Sequence, residues 1–241
     1  ASIVYEIKVR PGIHYQPHPA LAQDAGGRYL YHSLTAKDLE QKQTLTDFSE
    51  TGTRELVAAD YVYQIKRLAH PRLHSPILGL MSVYIIGLKE YAAQLEKEYS
   101  LLVKDIKGQT GGVVRLNLEK FPLAGVEAVD RYTYRVRIKG KYPQFVYWLA
   151  MPFFAPMPPE AGAFYDQAGM TEKNIVLDWY PLGTGPFRLT VNNPNRQMVL
   201  ERNPHFHGEV YPAEGMPGDA EAGLLMNAGE PLPMVEKVIF S

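Results

Sequence analysis

The stretch Pro181-Leu182-Gly183-Thr184-Gly185-Pro186-Phe187, followed by Val199-Leu200-Glu201-Arg202-Asn203-Pro204, decides how the rest of this chain is read. Two glycines around a threonine, closed by a proline, make a turn with a permissive backbone on each side, which lets the chain pass close to another group. It is not a phosphate loop, because the lysine and the helix start that such a loop needs are missing. Residues 187–191 and 198–202 flank Asn192-Asn193-Pro194-Asn195. That is a hairpin signal, since Asn tolerates the left-handed conformation such turns use.

Working outward, a loop rich in Gly, Pro and acids spans 208–233, and a strand candidate follows at 235–240. Toward the N-terminus the composition shifts to Pro and aromatics after Met151, which predicts a domain boundary near Ala150. A short helix is expected around Phe145, Trp148 and Leu149. Residues 132–139 alternate throughout, with Tyr132, Tyr134, Val136 and Ile138 on the core face. Val114, Leu116 and Leu118 alternate as well and read as a strand, and Val126-Glu127-Ala128 opens another. Two amphipathic helices precede them. In 58–69, Tyr61, Ile65 and Leu68 share a face and His70-Pro71 stops the helix. In 88–106, Leu88, Tyr91, Leu95, Tyr99 and Leu102 recur at helical spacing, with Lys104 and Lys107 near the C-terminal dipole and Gly108 closing it. At the start, Ile3, Tyr5, Ile7 and Val9 alternate as a strand, and Pro11-Gly12 turns it toward Ile13–Tyr15 as a hairpin partner.

Five of these segments resemble, in order, the extracellular solute-binding proteins of family 5, the peptide-binding receptors of ABC importers. They are the early strand at 5–15; Ala59, Asp60, Val62, Tyr63, Arg67 and Leu68; the Gly125-Val126 to Tyr132-Thr133 run; the Gly-Thr-Gly-Pro-aromatic turn; and Val-Leu-Glu-Arg-Asn-Pro. The resemblance implies an α/β (mixed α+β) fold of the type II periplasmic-binding-protein kind, here a partial clamshell lobe made of two subdomains, 1–150 and 151–241. It implies a longer protein of which this is most of the first lobe. It also implies capture of a peptide or similar solute for an ABC permease, by an exported monomer at the periplasm or cell surface. No leader pattern lies within this chain. Three departures stand out: residues 16–53 read as a polar surface insertion, Ile77 follows Ser75-Pro76 where oligopeptide binders carry an aromatic, and Phe206-His207 stand where two aromatics are usual. Relatives carry haem, nickel complexes, opines or sugars, so the ligand class stays open. The alternative is a scaffold that kept the fold without transport.

The composition limits the function classes. The 241 residues hold 25 basic and 26 acidic side chains, so the one-sided field of a nucleic-acid binder is missing. With no cysteine, disulfides, thiolate metal sites and cysteine nucleophiles are excluded. No G-x-S-x-G elbow and no H-E-x-x-H motif occurs, so no catalytic residue, metal ligand set or cofactor is assigned. His205 and His207 fall on one side of an extended segment, but a pair without further ligands is more often ordinary packing. His14 and His18 read as surface residues, Pro17 barring the helix that would join them.

Most of the 16 tyrosines, among them Tyr61, Tyr91, Tyr99, Tyr132 and Tyr134, read as core residues with a polar tip. A cleft for varied peptides needs aromatic walls and free backbone groups. The candidates are Phe153 and Phe154 on one stretch, and Trp179, Tyr180, Gly183, Thr184, Gly185 and Phe187 on the other. The competing reading is that these side chains pack between domains.

Overall fold

The computed structural model describes residues 1–106 and 114–241. It is a mixed α/β structure. In chain order it runs β1 (Ser2–Lys8), α1 (Ala36–Leu39), α2 (Ala58–Arg67), α3 (Leu78–Tyr84), α4 (Leu88–Ile106), β2 (Val126–Asp130), β3 (Thr133–Lys139), α5 (Phe145–Leu149) and α6 (Pro159–Tyr165). Five strands follow: β4 (Phe187–Asn193), β5 (Gln197–Arg202), β6 (Glu209–Val210), β7 (Pro231–Leu232) and β8 (Lys237–Phe240). The predicted Lys107 and Gly108 ending of α4 lies outside the described residues. Among the described residues no helix is long and apolar enough to cross a membrane.

Two three-stranded antiparallel sheets organise the chain, in the orders β1-β3-β2 and β4-β5-β8. In the first, the alternation of β3 buries Tyr134, Val136 and Ile138, which stand opposite Ile7, Tyr5 and Ile3 of β1. Helix α2 lies against this sheet, with Tyr61 stacked on Tyr134 at 4.9 Å. Its first turn is fixed by Asp60, whose Oδ2 accepts from Val57 N at 3.0 Å, an N-terminal cap. Arg54 grips both oxygens of Asp60 (2.7 and 2.9 Å) and both of Glu160 on α6 (2.8 Å each). Burial works against the Arg54 charge, but its hydrogen bonds to Asp60 and Glu160 outweigh it and raise its pKa.

The structure corrects three expectations. Strand β1 does not form a hairpin with Ile13–Tyr15; it pairs with β3, from Ser2↔Lys139 to Lys8↔Thr133. Ile13 and Tyr15 instead bond to the segment before α2, through Leu56 N→Ile13 O (2.8 Å) and Tyr15 N→Arg54 O (3.0 Å). A local turn signal cannot tell which distant strand offers the longer ladder, and β3 offers seven register pairs. Residues 114–118 form no strand: Leu118 is buried as the alternation asks, but its carbonyl accepts from Tyr91 Oη at 2.5 Å rather than from a ladder partner. Residues 16–53 are not a surface insertion. Ala20, Leu21, Ala22, Leu39 and Phe48 are buried, and Phe48 meets Phe164 of α6 edge-on at 5.2 Å. Their apolar residues follow no helical or strand period, so periodicity overlooks them.

One cluster of buried side chains runs from Val9 through Ile85, Phe145 and Phe164 to Leu182. The second sheet is thinner, with Val199 its one fully buried apolar side chain among the described residues.

Candidate functional site

Residues 181–187 carry the chain from this core into β4. Two residues hold the turn. Gln16, 6% exposed, donates its backbone N–H to Gly183 O (2.9 Å) and its Nε2 to Pro181 O (3.1 Å), while Gly183 N donates to Gln16 Oε1 (3.3 Å). Asn203, 2% exposed, donates Nδ2 to Gly185 O (2.9 Å) and its backbone N–H to Pro186 O (2.8 Å), and its Oδ1 accepts from His205 N (3.0 Å). The carbonyls of 181, 183, 185 and 186 are thereby engaged. Thr184 and the Gly185 N–H are left: neither makes a hydrogen bond among the described residues. They face outward, Gly185 being exposed and Thr184 half-buried.

The glycines of this turn do not have the role their sequence implied. A Cβ at Gly183 or Gly185 would meet nothing within 4 Å, and neither has a positive φ. The tight glycines lie elsewhere: a Cβ at Gly52 would stand 2.0 Å from Leu21 O, and one at Gly125 would stand 2.3 Å from Ile86 O.

Beside the turn a cavity of about 220 Å³ lies between residues 16–19, 45–51 and β4. Tyr180 and Arg188 are on its wall, and Arg188 Nε is buried without a partner among the described residues. His18 is fully buried there. Its Nδ1 accepts from Ala20 N (3.0 Å), which puts the ring proton on Nε2, facing Tyr165 Oη at 2.8 Å. Tyr165 Oη in turn donates to Tyr180 O at 2.6 Å. Burial pushes the His18 pKa down to about 3, so the ring is neutral at physiological pH.

The predicted wall is only partly assembled. Tyr180 lines the 220 Å³ cavity. Phe153 lines a different one, of about 320 Å³, and its carbonyl accepts from Gln64 Nε2 at 2.9 Å. Phe154 is a core residue, 2% exposed and set edge-on to Phe145 at 6.4 Å, because consecutive side chains on the 152–154 turn diverge. It is removed from the candidate set. Trp179 and Phe187 are half-buried; the Trp179 carbonyl accepts from Asn192 Nδ2 at 2.8 Å, and Phe187 stands opposite Arg202. Sequence reading missed Gln16, His18 and Arg188. A buried Gln or His inside an aperiodic stretch leaves no pattern, whereas Asn203 sat within the quoted motif.

At the other histidines, His207 Nε2 lies 3.4 Å from Glu209 Oε1 and the Phe206 ring packs on His207 at 4.3 Å. Among the described residues no three His, Cys, Asp or Glu converge as a metal set.

Residues 48–229 match the bacterial extracellular solute-binding proteins, family 5 middle. The chain belongs to this family. A relative, the periplasmic oligopeptide-binding protein OppA of Salmonella typhimurium, is 27% identical over 151 residues, 63% of this chain and 23% of that protein. Among solved structures, Listeria monocytogenes OppA bound to peptide is 18% identical with a TM-score of 0.47, covering 85% of this chain and 28% of that one. The oligopeptide-binding protein OppAIV of Borrelia burgdorferi is 16% identical with a TM-score of 0.48, at 85% and 28% coverage. The chain spans about a quarter of the length of these relatives.

Proposed function

We propose that this chain belongs to the substrate-binding component of an ABC-type importer, a periplasmic or cell-surface protein acting as a monomer. It captures a peptide or similar small solute and delivers it to the transmembrane permease subunits. The observation that carries this reading is the family 5 match across residues 48–229. The free N–H of Gly185 and the hydroxyl of Thr184 suit it, since backbone and hydroxyl groups at a turn pair with an extended ligand whatever its side chains. Trp179, Tyr180 and Phe187 supply aromatic surface near them in the chain, and Phe153 supplies it at a separate cavity. Ligand drives closure by binding the closed form more tightly than the open one.

Native mass spectrometry of the full-length protein, isolated without refolding, tests the reading. Co-purified peptides are the expected result. Repeated recovery of empty protein that also binds nothing from a peptide library overturns it.

A further inference from the structure

At the C-terminal end of α2 a hollow of about 340 Å³ opens against residues 157–178. The 320 Å³ cavity that holds Phe153 shares Arg67, Leu73 and Asp178 with it, so the two lie side by side. Each is within the size range of small-molecule sites. The wall residues of the larger hollow run from Tyr63 to Asp178, and none belongs to the 181–187 turn.

The charges here are unusual. Arg67, the last residue of α2, feels the fields of Tyr63, Asp166 and Asp178, yet its guanidinium makes no hydrogen bond or ion pair among the described residues. The Arg72 guanidinium and the carboxylates of Asp166 and Asp178 are also without hydrogen bonds or ion pairs among the described residues. Arg54, by contrast, closes on Asp60 at 2.7 Å. In the hollow, cations and carboxylates face a common space and stay apart. Arg67 is half-buried, so its unpaired guanidinium has lost part of its hydration, and a ligand carrying both signs would engage it together with the exposed Arg72, Asp166 and Asp178 at the rim. Leu73, Leu116 and Leu177 add an apolar wall. Tyr63 is seated against Gly162, where a Cβ would stand 2.9 Å from its Oη.

We propose that this hollow binds a free amino acid with an apolar side chain. Its carboxylate lies on Arg67 and Arg72, where guanidinium forks give short, charge-assisted bonds. Its ammonium lies toward Asp178 and Asp166, and its side chain lies against the leucines. This site is distinct from the 181–187 turn and does not rest on the importer reading.

The test titrates L-leucine into the full-length protein by calorimetry, beside N-acetyl-L-leucine and L-leucinamide, each of which lacks one of the two charges. Leucine is expected to bind at least tenfold more tightly than either. Arg67→Gln weakens leucine binding at least tenfold. The Arg67 guanidinium makes no hydrogen bond or ion pair among the described residues, and Asp178→Asn, at an exposed position, gives a second variant with the same readout should Arg67→Gln misfold. Equal affinity for all three compounds, no leucine binding at millimolar concentration, or unchanged leucine affinity in a folded variant overturns the site. Peptide capture without leucine binding sinks this site alone; leucine binding without peptide capture sinks the importer reading alone.

Discussion

Asn203 Nδ2 donates to the carbonyl of Gly185 at 2.9 Å, so the two parts of the stretch that identifies this chain are bonded to each other. The Asn of Glu-Arg-Asn-Pro is a buried strut beneath the Gly-Thr-Gly-Pro turn. Asn203→Ala strips Gly185 O and His205 N of their partners and is expected to cost about 1–3 kcal/mol. Asn203→Asp keeps the acceptor for His205 N but turns an oxygen toward the Gly185 carbonyl, so it gains nothing back. Urea unfolding of the full-length protein checks both; an unchanged midpoint for Asn203→Ala would show that the strut bears no load.

The glycines separate structural from ligand roles. Gly183→Ala and Gly185→Ala enter open space and are expected to change stability by less than about 1 kcal/mol, with a slight gain from the stiffer unfolded chain. If the turn meets the solute, the same changes lower affinity without lowering the melting temperature. Gly52→Ala drives a methyl group against Leu21 O and is expected to cost about 3 kcal/mol or more. A Gly52→Ala protein as stable as the parent would refute that geometry.

Arg54 joins residues before α2 to α6 through Asp60, whose side chain is 1% exposed, and Glu160, 16% exposed. Arg54→Met leaves both carboxylates without their counter-charge and is expected to destabilise by about 3–5 kcal/mol. Adding Asp60→Asn removes the more buried of the two charges and should restore part of that loss. A double mutant no more stable than Arg54→Met would mean that the charge of Asp60 is not what the arginine balances.

His18 makes stability depend on pH. Its pKa falls from the usual value to about 3 on folding, so between the two values the unfolded chain binds a proton that the folded chain refuses. Its contribution is complete above about pH 6.5 and drains away as pH falls toward 3, at about 1.4 kcal/mol per pH unit. His70, lowered to about 4 by burial and then by Arg67 and Arg72, acts in the same direction over part of this range. The test is therefore a difference: His18→Gln is expected to flatten the stability profile between pH 6 and 4 by about that slope. Parallel profiles for the two proteins would rule out His18 as the source.

Much of the fold was legible where one period holds for several turns or residues. Helices α2 and α4, strand β3 and the β4–β5 hairpin are where their alternations put them. Choice of partner was not legible: nothing near Ile3 or Tyr5 announces that Ile138 and Val136 will lie opposite. Nor was burial without period, as at Leu39 and Phe48, or the location of the crowded glycines, since Gly52 sits in an unremarkable polar stretch while Gly183 and Gly185 sit in a conspicuous one. The candidate wall suffered from the same gap. Two adjacent phenylalanines look alike in sequence, but one points into the core and the other to a cavity, a distinction set by the 152–154 turn alone.

The bond between Gln16 and Gly183 joins positions 167 apart. On a ribosome adding about 5–20 residues per second, β1 waits on the order of ten seconds for β3 to appear, and Gln16 waits longer still for its turn. This segment is therefore made long before its partners. During that interval Ile3, Tyr5 and Ile7 are an unpaired apolar strand, the kind of segment a holdase can cover.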